Sequence, residues 1–271
     1  MLTSRSKLLT SLSLHSALAT ISILFLLPFI VVIRNSFVSY RELRDNPLVL
    51  PANLDFGWYL HAWDRANIPL AGLNTVVITG TTVLLVLLLG SMAAFAFSRL
   101  QFPGQSQAFL LFMIALMLPS ATLMVPLFRL NLSLGTHNTY LAVIGPYIAL
   151  GLPLGILLFT FYFDTVPREF EDSARVDGAS AFTIYRLIAL PLARPVLAAV
   201  AIFQFLTTWN EFVLAGLFLT KRHVYTLTVT AMVHRGNTFA LIVIITLPVA
   251  VFFLLMQRQF VSGLTAATLK A

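Results

Sequence analysis

Glu171-Asp172-Ser173-Ala174-Arg175-Val176-Asp177-Gly178-Ala179, running on to Ile188-Ala189-Leu190-Pro191, is the densest run of charge in this chain. On both sides of it the sequence turns apolar for long stretches. Hydrophobic residues make up 59% of the 271 and charged residues only 10%. A mean hydropathy of +0.91 lies far outside soluble globular usage. A charged connection between such stretches implies a partner for its charges.

A hydrocarbon layer about 30 Å thick needs roughly 20 apolar residues of helix. Residues 8–33, 66–98, 105–128, 138–163 and 236–257 are free of charge over that length, and 195–220 is interrupted only by Glu211. The expected fold is therefore an all-α integral membrane protein forming one domain over 1–271. Its six transmembrane helices fall near 10–33, 70–97, 106–128, 139–163, 195–219 and 237–257, and a charged helix–turn–helix over 164–194 lies between the fourth and fifth. Arg5 and Lys7 followed by Ala17-Leu18-Ala19 have the form of a signal peptide, but the strongest apolar run, 21–33, lies beyond that point, so an uncleaved first span is expected.

The net charge of +7 does not indicate nucleic acid, because the basic residues sit at span ends and form no track for a phosphate backbone. Six spans place both termini on the face that carries the charged loop. The 17 basic residues divide almost evenly between the two faces, so charge bias does not orient the chain. The absence of cysteine excludes disulfides and thiolate metal sites, and neither a metal nor a cofactor is expected.

In the segment after the first span, Asp55 can cap a short helix whose Phe56, Tyr59, Leu60 and Trp63 share one face, and Trp58 with Trp63 suits an interfacial anchor. Pro28, Pro119, Pro126, Pro146, Pro153 and Pro248 predict kinks within spans. Gly90-x-x-x-Ala94-x-x-x-Ser98 and Gly151-x-x-x-Gly155 offer faces on which helices approach closely.

Within the loop, Glu169, Glu171 and Asp172 fall in the first turn of a short helix, where the positive end of the helix dipole favours carboxylates. Gly178 supplies the turn, Ser180 caps a second helix carrying Phe182, Tyr185, Leu187 and Ile188, and Pro191 is expected to end it. This sequence resembles the Glu-Ala-Ala loop of the permease subunits of binding-protein-dependent ABC importers. The carbohydrate-uptake group, and its second, maltose-type permease, is the nearest form. Asp172-Ser173-Ala174 stands at the Glu-Ala-Ala positions, and Asp177-Gly178-Ala179-Ser180 and Leu190-Pro191-Leu192 match the rest. Asn74-Thr75, Ala93-Ala94-Phe95-Ala96, Arg99-x-x-Phe102-Pro103-Gly104, Asn138-Thr139-Tyr140, Thr208-Trp209-Asn210-Glu211-Phe212 and Phe260-Val261-x-Gly263-Leu264-Thr265-Ala266 extend the resemblance over nearly the whole chain from span two onward. Family glycines near the C-terminus appear here as Ala267 and Ala271.

The resemblance implies a coupling loop made of Glu171, Asp172, Ser173, Ala174, Asp177, Gly178 and Ala179, docked on a cytoplasmic ATPase, with the acidic residues paired to basic groups on that partner. It puts the loop and both termini in the cytoplasm and the chain in the inner membrane. It implies two ATPase copies, a second homologous permease and an extracytoplasmic binding protein that delivers a sugar or oligosaccharide. The external loop from Lys221 to Arg235, with His223 and His234, is where the binding protein would meet it, surface charge being the other reading. The chain holds no Walker A loop, its lysines being Lys7, Lys221 and Lys270 alone. The subunit is then not itself an enzyme, and hydrolysis belongs to another chain.

Glu211 is the one carboxylate within a span, in a polar patch with Gln204, Thr207, Thr208 and Asn210, and Trp209 beside it offers an aromatic face of the kind that holds sugars. Two readings stand: a substrate-pathway residue, or an interhelical hydrogen bond at an outer kink. The same machine carrying glycerol phosphate or another sugar derivative is an alternative, for which a basic residue deep in a span would speak. A secondary transporter is the alternative of another class.

Overall fold

The computed structural model describes residues 2–46, 49–51, 54–234 and 238–268, with side chains from residue 11 to 257 apart from 40 and 44. The 260–266 motif and Ala267 lie outside the described side chains, and Arg235 and Ala271 outside the described residues. Every regular element among the described residues is helical. Four helices are long and apolar enough to cross a membrane, and two bent helix pairs bring the total to as many as six. The chain forms two compact units, 1–68 with 233–247 and 69–232 with 248–271.

The first unit holds α1 (Leu2–Asn35), α2 (Tyr40–Asp45) and α3 (Gly57–Arg65). Ser39 and Glu42 close α2 with a reciprocal capping box. Asp55 accepts the Gly57 N–H at 2.7 Å, at the start of α3. Phe37 packs edge-on to Phe56 at 5.2 Å, and Tyr59 shares a 2.5 Å hydrogen bond with Ser36. Leu60 and Trp63 face outward. The apolar face of α3 is thus split between the turn after α1 and the surface.

The second unit is built on α4 (Ile68–Arg99) and α7 (Leu141–Thr165). One buried cluster joins Ile78 of α4 to Val143 and Tyr147 of α7, and another joins Val86 and Phe95 to Phe159 and Phe163. Early residues meet early and late meet late, so α4 and α7 run parallel and the chain between them must return. Gly90 lets the helices close: a Cβ there would stand 3.7 Å from the Phe159 ring and 3.8 Å from the Gly155 backbone.

The returning segment is not one straight helix over the expected 106–128. It is α5 (Gln105–Leu116), a 3₁₀ turn (Ser120–Leu123) and α6 (Met124–Ser133), bent by 98°. Pro119 explains the break, because proline has no N–H to donate and disfavours a helical Leu118. The fifth expected span is broken too. It consists of α11 (Arg194–Trp209) and α12 (Val213–Phe218), separated by Asn210-Glu211-Phe212. The order between and after these is α8 (Glu169–Val176), α9 (Ala181–Ile184), a π turn (Tyr185–Ala189), α10 (Leu190–Leu192), then α13 (Leu227–Val233) and α14 (Thr238–Thr268).

Candidate functional site

The charged loop begins where α7 ends. Glu169, Glu171 and Asp172 occupy the first turn of α8, and Gly178 turns the chain with φ +82°, a backbone conformation that costs side-chain-bearing residues free energy. Ser180 accepts the Thr183 N–H at 3.2 Å and starts α9, as its position in the sequence suggests. Pro191 does not end that helix. The Leu190 N–H reaches back to Tyr185 O in a π turn, the chain continues to Leu192, and it bends by 77° into α11.

Glu171 faces inward. It is 3% exposed, and its Oε1 accepts from Arg99 Nε at 2.6 Å. The Arg99 guanidinium also donates Nη2 to Phe163 O at 2.7 Å and Val166 O at 2.8 Å, and Nη1 to Ser98 Oγ at 3.1 Å. Ser98 Oγ donates to Asp164 Oδ1 at 2.5 Å. Arg175 lies 3.8 Å from the second Glu171 oxygen and is half exposed. The Glu171 carboxylate is thus buried and held by a guanidinium of its own chain. The expected outward pairing of Glu171 therefore does not match its position. Asp172, Ser173 and Asp177 are exposed, as are the apolar Phe170 and Val176, while Ala174 and Ala179 pack against the core beneath α8.

A second arrangement sits at the break between α11 and α12. The Glu211 carboxylate accepts the N–H groups of Val213 and Leu214 at 2.8 Å and of Ala215 at 3.0 Å, so it caps α12. Tyr147 OH of α7 donates to Oε2, the oxygen that also takes the Ala215 N–H. Glu211 thus supplies acceptors where the helix has lost its own turn. Gln204, Thr207, Thr208 and Glu211 recur at helical spacing and form one wall of a cavity of about 340 Å³, whose other walls include Gly151, Leu154 and Ser120. Gln204 Nε2 donates to Thr208 Oγ1 at 2.8 Å, and its Oε1 crowds Gly151, where an added Cβ would stand 2.1 Å away. Trp209 and Asn210 do not line the cavity. Trp209 is buried on Phe205, which also stacks on Phe252 at 3.9 Å, and Asn210 bonds to Leu206 O.

Asparagines secure the segment after α12. Asn74 donates to the carbonyls of His223 and Tyr225 and accepts from Tyr140 OH. Asn138 Oδ1 accepts the N–H groups of Thr220 at 2.6 Å and Lys221 at 3.0 Å, with φ +65° at Asn138 itself. Thr75 Oγ1 accepts the Leu227 N–H. In the sequence these residues stand out as part of the permease resemblance, with no role attached to them.

Residues 66–265 match the family model of the binding-protein-dependent transport system inner membrane component. The chain belongs to that family. It is 34% identical to the arabinooligosaccharides transport system permease protein AraQ of Halalkalibacterium halodurans, over 93% of this chain and 94% of that one. It is 32% identical to the diacetylchitobiose uptake system permease protein NgcG of Streptomyces coelicolor, over 94% and 88% of the two chains. With the trehalose/maltose transport system permease protein MalG of Thermococcus litoralis it shares 31% over 98% and 99%. Its fold is that of a chain in a bacterial ABC transporter involved in the import of the acidic polysaccharide alginate, with a TM-score of 0.80 and 21% identity over 94% of this chain and 98% of that one. This inner-membrane component is a multi-pass permease subunit of a binding-protein-dependent importer, which implies ATPase, binding-protein and second-permease partners.

Proposed function

We propose that this permease subunit forms half of the pathway for a neutral sugar or oligosaccharide, crosses the membrane six times with the bent segment 105–133 as the third span and α11 with α12 as the fifth, and receives ATP-driven movement through the loop 168–191. The loop and both termini face the cytoplasm in this reading. Two ATPase copies, a second related permease and an extracytoplasmic binding protein complete the machine. What carries the reading is sugar-permease similarity of 30% or more over at least nine-tenths of the chain in several relatives. Asp172, Asp177, Phe170 and Val176 leave α8 a mixed charged and apolar outer face, chemistry suited to a protein cleft.

The α11 cavity supports neutral cargo over phosphate. Its wall offers an amide, hydroxyls and a carboxylate, with no lysine or arginine in the lining. Purified complete transporter in proteoliposomes, supplied with its binding protein, tests this with radiolabelled trehalose, melibiose and maltose against glycerol phosphate. ATP-dependent uptake of a neutral sugar is expected. Uptake of glycerol phosphate, or uptake that follows an ion gradient without ATP, contradicts it.

A further inference from the structure

Among the described residues, three side-chain hydrogen-bonded links tie 169–192 to its own subunit, and each reaches α4 or α7. Arg99 at the end of α4 holds Glu171 of α8 at 2.6 Å and, through Nη2, two carbonyls where α7 ends: Phe163 O, which also takes the Val166 N–H, and Val166 O. Ser91 of α4 shares a 2.8 Å hydrogen bond with Tyr185 OH in the π turn. Tyr162 OH of α7 donates to Leu192 O at 2.7 Å. Of the three, the first is the one made by full charges, and both side chains are nearly inaccessible, at 2% and 4% exposure.

We propose that Arg99 and Glu171 are positioning residues for energy coupling: their buried ion pair is the joint that makes α8, the end of α4 and the end of α7 move as one body. This rests on the reading of the loop as the ATPase contact and adds where the movement goes next. Two features make the pair suited to the task. A guanidinium that is held by two carbonyls and a carboxylate at once fixes three backbone segments in orientation as well as distance, which an apolar contact does not do. Burial removes solvent screening, so sliding the pair apart would strand a charge in each half. Movement imposed on the exposed face of α8 therefore passes to α4 and α7, the parallel pair at the centre of the unit. The three remaining acidic groups of the loop's first helix and turn, Glu169, Asp172 and Asp177, are exposed and free for an external surface.

Hydrogen–deuterium exchange on the complete transporter, with and without ATP and vanadate, reads this without knowledge of the cargo. In the unaltered complex, nucleotide is expected to change exchange in three segments together: 169–176, 92–99 and 163–166. In Glu171→Gln, which keeps the shape and removes the charge, the change persists in 169–176 but falls by about tenfold in 92–99 and 163–166. Arg99→Lys keeps the charge and loses the fork, and serves if Glu171→Gln does not assemble; it is expected to give the same separation to a smaller degree. An equal response of all three segments in both variants overturns the proposal, because a merely structural pair would alter basal exchange but leave the nucleotide response joined. Gly178→Trp in the same assay separates the two levels of the argument. If 169–176 responds to nucleotide in no complex, the coupling reading itself fails. If it responds, and Gly178→Trp abolishes that response while Glu171→Gln leaves the segments joined, only the joint fails.

Discussion

Glu171 and Glu211 are two carboxylates held within the second unit by different means, the first buried and the second partly exposed at a cavity. Glu171 meets a guanidinium from another helix and two buried charges cancel. Glu211 meets the first N–H groups of the helix that follows it and a tyrosine hydroxyl, so a single charge is held by dipoles. An ion pair fails badly when one half is removed, since the other is left buried and unpaired. A helix cap fails gently, because first-turn N–H groups can turn to water or the cavity. The loop end of the second unit is thus built to move as a piece, and the cavity end to give.

The largest test of that contrast is Glu171→Ala, expected to cost about 3–5 kcal/mol of stability in detergent by leaving Arg99 uncompensated. Replacing both partners, Arg99→Met with Glu171→Leu, should cost much less than the single change, measured by the same thermal melts. At the cavity end, Gly151→Ala should cost about 1–3 kcal/mol by driving Gln204 from its place against α7. In a Gln204→Ala background most of that penalty should vanish. Glu211→Ala should cost about 1–2 kcal/mol, and Tyr147→Phe should add little to it, since both changes remove one arrangement. If Glu211→Ala proves as costly as Glu171→Ala, the contrast is wrong.

Gly178→Ala should cost about 1 kcal/mol, from backbone strain alone, because no atom lies within 4 Å of the added methyl. The smallest effect belongs to the first unit, where titration rather than pairing matters. Burial, and secondarily the charge of His61, lowers the His234 pKa below 6.5. The folded form therefore binds its proton less readily than the unfolded chain, and stability present above pH 6.5 is lost as pH falls through 6.5 toward the folded value. Melting temperatures of His234→Gln should show a shallower decline over that window.

What the sequence made legible follows from how local each signal is. Long apolar runs, the Gly178 turn and the Ser180 cap are written in neighbouring residues; the turn, the cap and four of the six apolar runs are single elements where they were expected. Pro119 marked a kink but not its 98° size, because a proline fixes what is lost and leaves to packing how far the chain turns. The break at Asn210-Glu211-Phe212 carried no glycine or proline. A carboxylate standing in for a helical turn reads, in one dimension, as a charge inside a span. Glu171 was expected to face a partner chain, and its true contact, Arg99, lies 72 residues away at the end of an apolar helix, a separation no periodicity reveals.

The most direct measurement is ATP hydrolysis by the complex purified through this subunit from its native membrane, with Gly178 intact or replaced by tryptophan. Hydrolysis should co-purify with the unaltered chain, and Gly178→Trp should either weaken retention of the ATPase or separate hydrolysis from uptake. A well-folded subunit that brings no ATPase, or a Gly178→Trp complex whose hydrolysis and uptake match the original, would contradict the claim that energy enters through this loop.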